Sequence, residues 1–269
     1  MSDDYFLRNK GTHAVITGGT QGLGLAVAQR LAREGAASIV IAGRRPEVGE
    51  TAAAEIRKLG SAAGTDCVFV QADVAVADDC LHLMDAAIER FGTVNALCNS
   101  AALTERGTLL NTTLEMWDAH MNTNARGPFL LMQRMVANLV QKKQPGSIVN
   151  VLSQSAHCGQ SFLTPYSTSK AALAILTKNV ANAFASKRIR CNGIMAGWMD
   201  TPGETAIQKR FHGADDNWLA NAEAGRPMGQ LVKPDQLASL IAYLLSPESG
   251  VMTGALVDYD QNVPGSYPE

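Results

Sequence analysis

Seven short runs of apolar and β-branched residues punctuate the chain, at His13–Thr17, Ser38–Ala42, Cys67–Gln71, Val94–Cys98, Ser147–Leu152, Ile189–Met195 and Ala255–Asp258. Their near-continuous apolar character predicts strands buried on two faces. Between them, apolar residues recur at helical spacing over 23–34, 47–59, 78–91, 112–142, 165–186 and 234–245, with a break in the fourth near Gly127 and Pro128. Strands alternating with helices predict an α/β fold: a doubly wound, mostly parallel seven-stranded sheet with helices on both faces and right-handed crossovers. Residues 197–229 break the alternation with glycines, prolines and charges. This segment follows the sixth strand, at the sheet edge where such folds bind ligands, so it predicts a substrate-binding lid within a single domain spanning 1–269.

Composition narrows the partners. The 269 residues carry 23 Lys and Arg against 25 Asp and Glu, a net charge of −2, without the dense basic cluster that nucleic-acid binding requires. No apolar run approaches the roughly 20 residues needed to cross a bilayer, and the start MSDDYFLRNKG lacks the apolar stretch of a secretory signal. The expectation is a soluble cytoplasmic protein with a small-molecule substrate, no nucleic acid and no membrane. Five scattered cysteines without a CxxC pair read as small hydrophobes in a reducing compartment, and the five histidines form no HExxH, so no metal site is expected.

The candidate chemistry begins at the first strand. Thr17, Gly18, Gly22 and Gly24 frame a turn that opens an Ala/Leu-rich helix. Glycines there allow close approach of a pyrophosphate to backbone amides at a helix start. After the second strand, Gly43 stands where an NAD site would place an acid for the ribose hydroxyls, and Arg44 and Arg45 follow. A guanidinium suits a ribose phosphate, which favours NADP(H) over NAD(H); the alternative is a pair of arginines solvating the next helix. Asp73 and Val74 follow the third strand, as adenine contacts or, for Asp73, as a helix cap. Asn99, Ser100 and Ala101 close the fourth strand with short side chains past which a cofactor crosses the sheet.

Downstream, Tyr166 and Lys170 lie one helical turn apart in PYSTSK. An ammonium beside a phenol favours its ionised form, which would bring Tyr166 nearer working pH as a proton donor and acceptor for a carbonyl. Ser153, 13 residues before Tyr166, stands where a hydroxyl orients a substrate oxygen, with Ser155 as a neighbouring substrate contact. Asn124 precedes the Gly-Pro disruption, so its side chain either holds a water beside Lys170 or repairs a kinked helix. His157, Gln160 and Trp198 fall on segments expected to rim the pocket, where they would suit a sugar, polyol or other polar ketone.

These residues, in order, resemble the short-chain dehydrogenase/reductase family, a Rossmann-like fold. The matching pieces are TGGTQGLG at 17–24, DV at 73–74, NSA at 99–101, Asn124, Ser153, YSTSK at 166–170 and NGIMAGWMDTP at 192–202. The resemblance implies a catalytic tetrad of Asn124, Ser153, Tyr166 and Lys170. It also implies cofactor contacts from Thr17, Gly18, Thr20, Gln21, Gly22, Leu23 and Gly24, and from Thr201 and the backbone near Met199 at the nicotinamide end, where Tyr166 and Lys170 also lie. It further implies assembly as a homotetramer or homodimer through the helices near 112–142 and 165–186. The chain departs from the family pattern at NSA, at Ala196-Gly197, at Ala156 and at DYDQN from Asp258 to Asn262. An NAD(H)-dependent alcohol dehydrogenase of the same family is one alternative function. A catalytically silent dinucleotide sensor or scaffold is another.

Overall fold

The computed structural model describes residues 7–266; the first six residues of the acidic amino-terminal stretch lie outside them. Seven parallel strands form one sheet in the order β3-β2-β1-β4-β5-β6-β7. They are β1 (His13–Thr17), β2 (Ser38–Gly43), β3 (Asp66–Gln71), β4 (Ala96–Asn99), β5 (Gly146–Val151), β6 (Ile189–Ala196) and β7 (Leu256–Tyr259). All seven predicted strands are present, shifted at their ends by a residue or two.

The two-faced burial of these strands has a direct structural cause. Along β1, Ala14 and Ile16 join one core cluster while Val15 joins the other, because successive side chains leave a strand on opposite faces. One cluster is covered by α1 (Gly22–Arg33), α2 (Pro46–Leu59) and α10 (Pro234–Leu245), which supply Leu31, Ile56 and Ile241. The other is covered by α3 (Ala77–Phe91), α5 (Gly127–Lys142) and α7 (Thr164–Phe184), which supply Leu83, Leu131 and Leu173. With both faces of the central strands dry, it is their carboxyl ends that reach solvent.

The predicted break at Gly127-Pro128 takes another form. Helix α4 (Leu114–Met121) runs through a π-helical turn at Asn122–Arg126 directly into α5. Pro128 lies in the first turn of α5, where its missing N–H costs little, and the wider turn before it absorbs the change of register. Residues 197–229 contain two helices, α8 (Pro202–His212) and α9 (Trp218–Ala224), and a four-residue helical turn α6 (Ser155–Cys158) follows β5.

The base of the 197–229 segment is closed on itself. Val232 N–H donates to Trp198 O at 2.9 Å and Asp200 N–H to Val232 O at 3.0 Å. Beside this pairing, Lys233 Nζ donates to Asp200 at 2.8 Å and to Glu223 at 2.6 Å.

Candidate active site

A cleft of about 1900 Å³ runs along the carboxyl ends of the strands, from the turn after β1 past Tyr166 to Trp198 and α8. It lies where the strand order reverses between β1 and β4, the position at which open α/β sheets take ligands.

The glycine turn is a bare cradle. Gly18 has φ +66°, and a Cβ there would come within 3.0 Å of the Ala101 backbone. A Cβ on Gly24 would fall 2.3 Å from Gly18 O, so only glycine lets α1 seat this closely against the strand end. The residue capping α1, Gln21, makes no side-chain bond to the first turn, and no acid occupies that turn. Unpaired N–H groups and the positive helix end therefore face the cleft at Gly18–Gly24, which fits a pyrophosphate.

Most of the expected cofactor residues line this cleft: Gly18, Thr20, Gln21, Gly22, Leu23, Gly24, Arg44, Arg45, Asp73, Val74, Ala101, Met199 and Thr201. Thr17 and Asn99 do not. Thr17 is buried, and its hydroxyl accepts from the N–H groups of Ser100 and Ala101, so it ties the ends of β1 and β4 together. Asn99 is also buried and donates to Asn150 Oδ1 at 2.7 Å, bridging β4 to β5.

Arg44 is exposed, with no side-chain hydrogen bond or ion pair among the described residues, whereas Arg45 donates to Gln21 Oε1 at 2.6 Å. Asp73 holds its own turn by accepting from Ala75 N–H at 3.0 Å. The cap on the following helix is Val76 instead, so Asp73 does not serve as that cap. The pairing at the base of 197–229 sets Met199 opposite Val232 through Trp198 O and Asp200 N–H, so the N–H and C=O of Met199 take no part in it.

At the reacting end, Ser153, Tyr166 and Lys170 share one wall of the cleft. Lys170 is buried, and its Nζ donates to Val151 O at 2.7 Å and lies 5.9 Å from the Tyr166 ring centre. Burial lowers its pKa to about 8. Burial pushes the Tyr166 phenol above the ordinary tyrosine value; the Ser153 hydroxyl offsets part of the rise, Glu204 adds to it and Arg106 opposes it. Loss of water is thus the largest influence on this phenol, and the charges that act on it are Glu204 and Arg106. Ser153 Oγ lies 3.0 Å from Ser155 Oγ and accepts from the Ser155 N–H, so the serine pair is held together at the start of α6.

Of the two roles expected for Asn124, the bonds it makes are those of the structural one. It is fully buried, outside the cleft lining, with Oδ1 accepting from Leu103 N–H and Nδ2 donating to Leu103 O and Ser169 Oγ. Both amide hydrogens are spent on protein, so the side chain splints the π-helical turn to the loop after β4 and to α7, one residue before Lys170. His157 is also displaced from the pocket: its Nε2 lies 2.8 Å from Asp258 Oδ1 on β7, and it does not line the cleft. Gln160, Ser155 and Trp198 do.

A family profile described as Enoyl-(Acyl carrier protein) reductase matches residues 18–261. An NADP-dependent (R)-specific alcohol dehydrogenase from Lentilactobacillus kefiri is 34% identical over 92% of this chain and 94% of its own. A 2,5-dichloro-2,5-cyclohexadiene-1,4-diol dehydrogenase from Sphingobium indicum is 32% identical over 94% of this chain and 96% of its own. Among solved structures, an actinorhodin polyketide ketoreductase variant with NADPH superposes with a TM-score of 0.86 at 26% identity, covering 94% of this chain and 97% of that one. A short chain dehydrogenase/reductase family protein gives 0.78 at 30% identity over 93% and 97%. The chain belongs to the short-chain dehydrogenase/reductase family.

For a short-chain dehydrogenase/reductase, the far end of this cleft is densely bonded, and of its members the sequence singled out Trp198 but not Arg106, Glu204, Gln208 or His212. Glu204 Oε1 accepts from Arg106 at 3.3 Å, Trp198 Nε1 at 2.8 Å and Gln208 at 2.7 Å, which ties α8 to the loop after β4. Arg106 also donates to Thr104 O and to His212 Nε2. One signal was legible: Thr201 with Glu204 three residues on is a helix-start pattern, and Thr201 Oγ1 does accept from Glu204 N–H at 3.1 Å. The Glu204 carboxylate then turns to the cleft instead of closing the cap reciprocally. Arg226 joins this rim from the chain after α9. Among the described residues, no helix is long and apolar enough to cross a membrane.

Proposed function

We propose that this short-chain dehydrogenase/reductase reduces a polar carbonyl compound, of the sugar, polyol or small-ketone class, to a secondary alcohol with NADPH. One observation carries this reading: Ser153, Tyr166 and Lys170 stand on the wall of the same cleft whose other end is the bare glycine cradle. The nicotinamide cofactor, when bound, supplies the hydride. Tyr166 supplies the accompanying proton. Its phenol is held protonated by burial, which suits donation to a carbonyl oxygen as negative charge develops there. Ser153 orients that oxygen by hydrogen bond. Lys170, anchored on Val151 O, favours the phenolate left behind until a proton returns from solvent. Asn124 takes a positioning role through Ser169 and Leu103.

The choice of NADP(H) rests on Arg44, an exposed guanidinium without a carboxylate partner beside the cleft, and on the absence of an acid at Gly43. Two relatives, an NADP-dependent alcohol dehydrogenase and a ketoreductase solved with NADPH, support it. NAD(H) remains the alternative cofactor. Further expectations carried forward are a cytoplasmic location, a single domain in which 197–229 covers the substrate, and assembly through α4, α5 and α7.

A panel of ketones, sugars and polyols assayed with NADPH and NADH tests the reading. Tyr166→Phe should lower kcat by about 10²-fold to 10⁴-fold while NADPH titration shows retained binding. Arg44→Ala should raise KM for NADPH by about tenfold to a hundredfold and leave NADH unchanged. A Tyr166→Phe protein with full turnover would refute the catalytic reading. Tighter NADH binding in the parent protein would refute the phosphate assignment.

A further inference from the structure

Two arginines, Arg106 and Arg226, line the substrate end of the cleft, and a third, Arg210 on α8, pairs with the lining residue Glu105 at 2.9 Å. Arg106 is fully employed by Glu204, Thr104 O and His212. Arg226 lines the cleft yet makes no ion pair within 4 Å among the described residues, and its Nε is buried without a hydrogen-bond partner. A buried donor left unpaired costs free energy that an arriving acceptor returns.

The position of Arg226 is well defined. Its N–H donates to Glu223 O at 3.0 Å and its carbonyl accepts from Gly229 N–H at 3.0 Å, so turn bonds hold the backbone on both sides. Its guanidinium sits 5.1 Å from the centre of the Trp198 ring, a cation–π arrangement. The indole is itself fixed, by its bond to Glu204 and by packing on the buried Trp218 at 6.1 Å. A guanidinium held against an aromatic ring and paired with no carboxylate among the described residues is a receptor for an anion. Asp260 lines the same rim, but it accepts from Gln261 N–H and Asn262 Nδ2 and makes no ion pair with Arg226.

We propose that Arg226 is a specificity residue that receives an acidic group, most simply a carboxylate, on the substrate, so that the preferred substrates are carbonyl compounds bearing an anion at the end remote from the reacting carbon. This inference rests on the carbonyl-reductase reading above. It refines that reading from polar ketones in general to acidic ones.

The test compares acetylbenzoic acids with the matched acetylbenzamides, which differ in charge and little in shape. With NADPH, the acids should be favoured by about tenfold or more in kcat/KM, chiefly through KM. Arg226→Met should abolish that preference, costing the acid about tenfold or more in kcat/KM and the amide much less, and Arg226→Lys should keep part of it. Equal use of acid and amide by the parent protein would overturn the proposal. So would an Arg226→Met variant that loses both substrates equally, or one whose KM for NADPH rises instead, since the residue would then serve the fold or the cofactor.

Binding of the same pair to the NADP⁺-loaded protein, followed through tryptophan fluorescence beside Arg226, reads the proposal even where no ketone is reduced. Tighter binding of the acid, lost in Arg226→Met, upholds the anion site while the reductase reading fails. Indifference to charge in that titration rejects the site, whatever turnover shows.

Discussion

Lys170 shows how one side chain joins the fold's energetics to its chemistry. It is fully enclosed, donates to Val151 O, and has its pKa lowered by burial from 10.5 to about 8. The sign of its effect on stability follows. Between about pH 8 and pH 10.5 the unfolded chain still holds this proton while the folded chain has released it, so folding stability rises with pH across that window. The cost of burying the cation is in full force below pH 8. Urea midpoints measured from pH 7 to pH 10 should therefore climb more steeply in the parent protein than in Lys170→Met, where the group is gone; superimposable profiles would show that Lys170 keeps its ordinary pKa. The sequence placed Tyr166 and Lys170 on one helix face because an i, i+4 spacing is geometry. It did not disclose which effect rules the phenol, since burial depends on what packs above it. Thr17, Asn99 and His157 turn away from the cleft for a related reason. A polar residue at a strand end, or in the turn after one, looks the same in sequence whether it faces a ligand or, as here, Ser100, Asn150 or Asp258.

At the scale of elements, the central strands were legible because a strand buried on both faces leaves a short run of apolar residues, and the partly buried edge strands β3 and β7 kept enough of that character to be read with them. The junction of α4 and α5 was legible only as a disturbance. Gly127 and Pro128 announced one, yet the wider turn lies just before them, at Asn122–Arg126, and Asn124 holds it by filling three hydrogen bonds to Leu103 and Ser169. Removing that amide leaves two backbone groups and a hydroxyl without their partner in a buried place, a loss of about 1–3 kcal/mol for an unsatisfied group. Asn124→Ala should lower the thermal midpoint by several degrees and lower kcat through a displaced Lys170, while Asn124→Asp, which keeps the acceptor but not the two donors, restores neither. A variant with an unchanged midpoint and unchanged kcat would show that the splint is redundant. Helices α8 and α9 were hidden inside 197–229 because short helices with few buried residues lack an apolar stripe; Trp218 is the buried residue of α9 and α8 has none.

For the whole molecule, the sheet is dry on both faces, so its helices carry whatever surface remains for assembly. On α5, Phe129 is 41% exposed; on α7, Ile175 is 60% exposed; at the start of α4, Leu114 is 78% exposed. Helices α5 and α7 pack on the same face of the sheet, since both cover one core cluster, and exposed apolar side chains on them are what a second copy seated there would cover. Lys170 lies on α7 and Asn124 in the turn that joins α4 to α5, so assembly would brace the elements that position the reacting residues. Sedimentation should find dimers or tetramers. The double variant Phe129→Glu with Ile175→Glu should dissociate them, because two carboxylates would have to be desolvated at the contact without partners. If the monomers so produced keep NADPH binding but lose turnover, the assembly serves catalysis by holding α7. Retention of the parent sedimentation coefficient by the double variant would exclude this face as the interface.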